Sequence, residues 1–142
     1  FPKKGSDVII QSVKNGLSFY TKGNIGIVSV DDVTNCMIQL MNSTISGERY
    51  ILLGENVILK DFITYLATLL NIKPPTIYAS KTMTSIAWRL DWLIAKITNQ
   101  KRKLTRATAK ASHSVHIYDT SKIVTALNYS FQKKETYLTK II

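Results

Sequence analysis

The sequence predicts a mixed α/β fold dominated by helices, with two or three short strands. Three observations carry this. In the first half, β-rich runs alternate with amphipathic helical patterns. In the second half, 3.6-residue periodicity takes over almost completely. The composition is that of an ordinary folded chain: 142 residues, 45% hydrophobic and 20% charged. Such a length hides roughly 70% of the surface that its unfolded chain exposes, enough for a real core.

The elements follow in order. Ser6 or Asp7 caps a helix through about Asn15, with Val8, Ile9 and Val13 facing inward and Gly16 ending it. Leu17 to Tyr20 is a short strand or extended piece, and Lys22-Gly23-Asn24 is a turn. Ile25 to Val30 reads as a strand. Asp31 or Asp32 then starts a helix whose stripe is Val33, Cys36, Met37, Leu40 and Met41. After a break at 42–47, Glu48 to Leu53 is a β-rich strand, with a turn at Gly54-Glu55-Asn56. A helix from about Ile58 to Asn71 points Leu59, Phe62, Ile63, Leu66 and Leu70 one way, and Pro74-Pro75 stops it.

The longest helix spans about Ser80 to Gln100. Its stripe is Met83, Ile86, Ala87, Leu90, Leu93, Ile94 and Ile97, widened by Trp88, Trp92 and Ala95. So broad an apolar face needs burial on two sides or an apolar partner. Core packing is the leading expectation, with membrane-surface docking and dimer contact behind it. Leu104 to Ser112 is polar and basic, and Val115 to Tyr118 is a strand candidate. Asp119 or Thr120 caps a helix through Asn128, and a last helix runs from Lys134 to the end.

Charge and motifs bound the chemistry. Nineteen Lys and Arg against nine acids give a net charge of +10, which attracts anions. Lys101, Arg102, Lys103, Arg106 and Lys110 fall within ten residues. No aromatic interrupts that run, so nucleic acid is disfavoured as a partner. Cys36 is the sole cysteine, which excludes an internal disulfide and fits a reducing compartment. With no signal peptide visible in Phe1 to Gly5, the expectation is a cytoplasmic protein. No run of eighteen apolar residues exists, so no transmembrane segment is predicted. The six glycines form neither G-x-G-x-x-G nor a P-loop. His113 and His116 lack the companions a metal site needs. Tyr118 and Lys122 have the Tyr-x-x-x-Lys spacing, which puts a phenol and an ammonium on one helix face for proton transfer. A capped helix start with an edge tyrosine is the better reading.

Several segments, taken in order, resemble the second half of extended short-chain dehydrogenases/reductases, the NAD-dependent epimerase/dehydratase and dihydroflavonol-reductase-like group. They are Lys3-Lys4-Gly5-Ser6, Gly16-Leu17-Ser18-Phe19-Tyr20-Thr21, Gly26-Ile27-Val28-Ser29-Val30-Asp31-Asp32-Val33, Gly47 to Asn56, and Tyr118-Asp119-Thr120-Ser121-Lys122-Ile123 with Leu127-Asn128-Tyr129. The resemblance implies that residues 1–142 form one C-terminal substrate-binding domain, cut from a parent whose N-terminal Rossmann half is missing. It implies NAD or NADP in that parent, none held by this chain alone, and a small hydroxyl or carbonyl substrate. The Arg49 to Leu53 strand would return to the edge of the nucleotide sheet. Tyr118 and Lys122 align with the family's late helix rather than its catalytic one, so no catalytic residue is assigned. By position, the substrate contacts are Lys4, Ser6, Phe19, Tyr20, Thr21 and Gly26. A homodimer through exposed strand edges is a further expectation. The alternative is a stand-alone basic module for nucleic acid or acidic membrane.

Overall fold

The computed structural model describes residues 6–99, 102 and 104–141. Among these, the order is α1 (Ser6–Lys14), β1 (Phe19–Tyr20), β2 (Asn24–Ile27), α2 (Val30–Met41), β3 (Glu55–Ile58), α3 (Leu59–Leu69), β4 (Ile77–Tyr78), α4 (Lys81–Thr98), α5 (Arg106–Ala111), α6 (Ser121–Leu127) and α7 (Lys134–Ile141). The mixed, mostly helical α/β class is therefore correct. The sheets are two separate pairs, β1 with β4 and β2 with β3. Two compact units result, one from the described residues of Phe1–Asn24 and Ile58–Val115, the other from Ile25–Val57 and those of His116–Ile142.

In the first unit α3 supplies the core. Phe62, Ile63, Leu66 and Ala67 are buried, at the spacing read from sequence. α1 packs against α3 and buries Val13. Gly16, at φ +77°, lets the chain leave α1 in the left-handed region where a Cβ is costly. β1 and β4 run parallel, with Phe19 opposite Ile77 and Tyr20 opposite Tyr78. Gly23 touches the 112–114 backbone. A Cβ there would lie 2.8 Å from the Ser112 carbonyl carbon, which is why the position takes glycine.

In the second unit α2 and α6 pack together. Cys36 and Ile123 are fully buried there. Ser29, not Asp31 or Asp32, caps α2, accepting from the Asp31 backbone N–H. That leaves Asp32 on the inner face with no exposure at all. It accepts from the Tyr129 hydroxyl at 2.8 Å, the Gln132 backbone N–H at 3.0 Å and the Gln132 side-chain amide at 3.2 Å. The inward face of α2 is consequently Asp32, Val33, Cys36 and Leu40, while Met37 and Met41 point outward. The expected Met37 and Met41 burial is corrected: the face is rotated because the Asp32 hydrogen bonds fix it.

Other departures have similar causes. Residues 48–53 form no strand, since β propensity without a partner strand makes no ladder. Pairing starts later, at the expected turn. The Gly54 N–H donates to the Ile27 carbonyl at 2.9 Å and β3 follows, with buried Leu53 against Gly26. Residues 115–118 also form no strand. The Asn56 side chain holds Tyr118 on both sides, donating to its carbonyl at 2.9 Å and accepting from its N–H at 3.0 Å. The run at 104–112 instead contains α5, started by a Thr105–Thr108 capping box.

The largest correction concerns α4. No residue along it is buried. Thr84, Trp88, Asp91 and Ala95 are half-buried on the side facing α5. Ile86, Leu90, Leu93 and Ile97, two residues further round, are exposed. Among the described residues, Ile86, Leu90, Leu93, Ile94 and Ile97 therefore join no core, while Met83 and Ala87 border an apolar cavity. The α4 N-terminus is fixed by Ser80, whose hydroxyl accepts from the Met83 N–H. Asn99, at φ 53°, ends it in the left-handed conformation that asparagine tolerates.

Candidate functional site

β1 and its exit bring three of the named contacts together. The Ile77 N–H donates to the Ser18 carbonyl at 3.1 Å, and the Ala79 N–H to the Tyr20 carbonyl at 2.8 Å. These bonds hold residues 18–21 extended beside β4. Phe19, Tyr20 and Thr21 then line one apolar cavity of about 400 Å³. Leu59 and Ile63 of α3 form another wall, and Met83, Thr84 and Ala87 of α4 a third. A space of this size suits a small molecule.

Thr21 is the polar feature that matters. It is 8% exposed, and its hydroxyl oxygen has no hydrogen-bond partner among the described residues. A buried hydroxyl left unpaired costs roughly 1–3 kcal/mol. Tyr20 is oriented by its neighbours: its ring centroid lies 5.8 Å from that of Tyr78, and Lys60 Nζ sits 4.9 Å from its centroid. Phe19 is 47% exposed, so it forms a rim rather than core.

Gly26 does not line this cavity. Gly26 is a packing position: a Cβ there would run into Leu53 Cδ1. Ser6 begins α1, and Lys4 lies outside the described residues. Sequence reasoning named the β1 side but missed the α3 and α4 walls. The α3 inner face was visible as a stripe, and Met83 and Ala87 belonged to the α4 stripe, but nothing in a stripe says that it borders a cavity.

A second depression of about 470 Å³ lies between α4 and α5, lined by Lys81, Thr84, Trp88, Arg106, Lys110 and His113, among others. His113 Nε2 and the Thr84 hydroxyl are 2.9 Å apart. Burial, with the Lys81 charge nearby, lowers the His113 pKa below its ordinary value. Among the described residues no group of three His, Cys, Asp or Glu side chains is placed to hold a metal.

Tyr118 and Lys122 do not share a helix face, because α6 starts only at Ser121. Lys122 Nζ instead pairs with Glu48 Oε2 at 2.6 Å. That hydrogen bond raises the lysine pKa and ties the ammonium to Glu48 instead of to the Tyr118 phenol. The spacing is a local coincidence.

No protein-family model matches the chain. No curated protein matches it in sequence. The crystal structure of gox2253 superposes on it with a TM-score of 0.70 at 22% identity, covering 97% of this chain and 42% of that one. At that identity the likeness is one of fold. The chain spans less than half the length of the structure it matches.

Proposed function

We propose that this chain is the substrate-binding portion of an NAD(P)-dependent epimerase/dehydratase or reductase of the extended short-chain type, with its substrate in the β1–α3–α4 cavity. The observation that carries the reading is the convergence of Phe19, Tyr20 and Thr21 on one apolar cavity, Thr21 bringing a buried hydroxyl with no hydrogen-bond partner among the described residues. The ordered motif resemblance supports it from the sequence side.

In this reading the cavity takes a small, largely apolar compound. Its one hydroxyl or carbonyl pairs with Thr21, and the remainder rests against Ile63, Met83 and Ala87. NAD or NADP would supply the hydride chemistry. Among the described residues no glycine-rich turn leads from a strand into a helix at the spacing a pyrophosphate needs. The reading assigns cofactor binding and proton transfer to a Rossmann half of the parent, with the chain alone inactive.

The test is calorimetric titration with cyclic alcohols, the matching ketones and their parent hydrocarbons. The expected result is that the oxygenated compounds bind roughly tenfold tighter, and that Thr21→Val removes the difference. Equal affinities across the series in the unaltered chain would refute the assignment of Thr21. Turnover of NADH or NADPH with any carbonyl compound by the chain alone would refute the division of labour.

A further inference from the structure

We infer that the outward face of α4 is a docking surface for a membrane rich in anionic lipid. α4 is mounted with its mixed face inward. Thr84, Trp88, Asp91 and Ala95 turn toward α5, while Ile86 (59% exposed), Leu90 (54%) and Ile97 (75%) stand in solvent with Leu93 and Ile94. A contiguous aliphatic stripe of this kind marks an interaction site.

Charge selects the occupant. Between positions 81 and 110 the sequence carries eight Lys and Arg and one acid, Asp91, so seven of the ten net positive charges fall there. Arg89 flanks the stripe with its guanidinium carbon 4.8 Å from the Trp88 ring centroid. Lys96 flanks it with Nζ 5.4 Å from the Trp92 centroid. Arg102 borders a surface depression formed with Trp88, Leu90, Trp92 and Leu93. Tryptophan beside basic side chains on an aliphatic helix is the chemistry of a bilayer interface. The rings sit at headgroup level and the cationic tips reach the phosphates.

A second copy of this chain fits less well. A two-fold contact sets the same patch against itself, bringing like charges together. Nucleic acid meets the charge but wastes the aliphatic stripe. An anionic bilayer satisfies both. Met83 and Ala87, on the same helix, line the apolar cavity. The docked face therefore runs up to a site fit for a compound that partitions into lipid. The docking surface itself stands on exposure and charge, independently of what the cavity takes.

The experiment is sedimentation of the purified chain with phosphatidylcholine vesicles, with and without phosphatidylserine. The expected result is binding that needs phosphatidylserine and weakens at high salt, with a blue shift of tryptophan emission. Leu90→Gln with Ile97→Gln lowers binding roughly tenfold or more. Arg89→Gln with Lys96→Gln lowers it about tenfold. All four side chains are exposed, and an unchanged circular dichroism spectrum confirms that the variants fold. Thr21→Val leaves vesicle binding unaltered, which separates this surface from the cavity. The chain remaining in the supernatant with phosphatidylserine vesicles overturns the inference. So does equal binding to phosphatidylcholine alone, or a solution dimer that the Leu90→Gln, Ile97→Gln pair dissolves.

Discussion

Replacing Thr21 by valine swaps a hydroxyl for a methyl without changing the branching at Cβ. The side chain keeps its restricted χ1 and nearly its volume. In the folded chain the hydroxyl is buried and unpaired, whereas in the unfolded chain water pairs it. Valine therefore removes a penalty of roughly 1–3 kcal/mol from the folded state. The added methyl gains up to about 0.8 kcal/mol of apolar burial. Part of both terms is lost because Thr21 remains 8% exposed and borders a cavity. The net expectation is a stabilisation of about 1–2 kcal/mol. Urea unfolding followed by circular dichroism measures it, as a raised midpoint at unchanged slope. Most buried substitutions destabilise, so the sign is diagnostic. A loss of about 1 kcal/mol or more would mean that the Thr21 hydroxyl has a partner inside the chain, and the ligand argument would fall with it.

Three other outcomes follow from the fold. Asp32→Ala removes the shared acceptor of Tyr129 and Gln132 and should cost about 2–4 kcal/mol, with Asp32→Asn costing less; a loss under about 0.5 kcal/mol in denaturant melts would contradict the anchoring role. Gly23→Ala should cost about 1–3 kcal/mol, because the neighbour it meets is backbone; a thermal melt matching the parent would show that the 112–114 segment yields freely. His113 has a folded-state pKa below its ordinary 6.5, so the unfolded chain takes up the proton first. Its contribution is fully present above that value and is lost as pH falls through the depressed folded pKa; His113→Gln should flatten this part of the stability–pH profile, and an unchanged profile would count against it.

Much of the architecture was legible because it is local. The α3 stripe, the stop at Gly16 and the α6 start each depend on residues within one or two turns. The mixed α/β class followed from the same periodicities. The grouping of Phe19, Tyr20 and Thr21 as contacts came from resemblance, and adjacency along the chain kept them together in space.

What the sequence left open are the decisions made between distant segments. Residues 48–53 have strand propensity but no partner strand, while the less β-rich 55–58 pairs with β2. Asp32 read as an N-cap or first-turn acid, and it does lie in the first turn of α2, but its anchoring role stayed hidden because its partners, Tyr129 and Gln132, lie about a hundred positions away. The apolar cavity exists only because β1, α3 and α4 meet. The same holds for α4, whose periodicity gave the stripe but not its direction. Periodicity specifies that a face is apolar; the competing contacts of Thr84, Trp88, Asp91 and Ala95 with the α5 side decide which face turns inward.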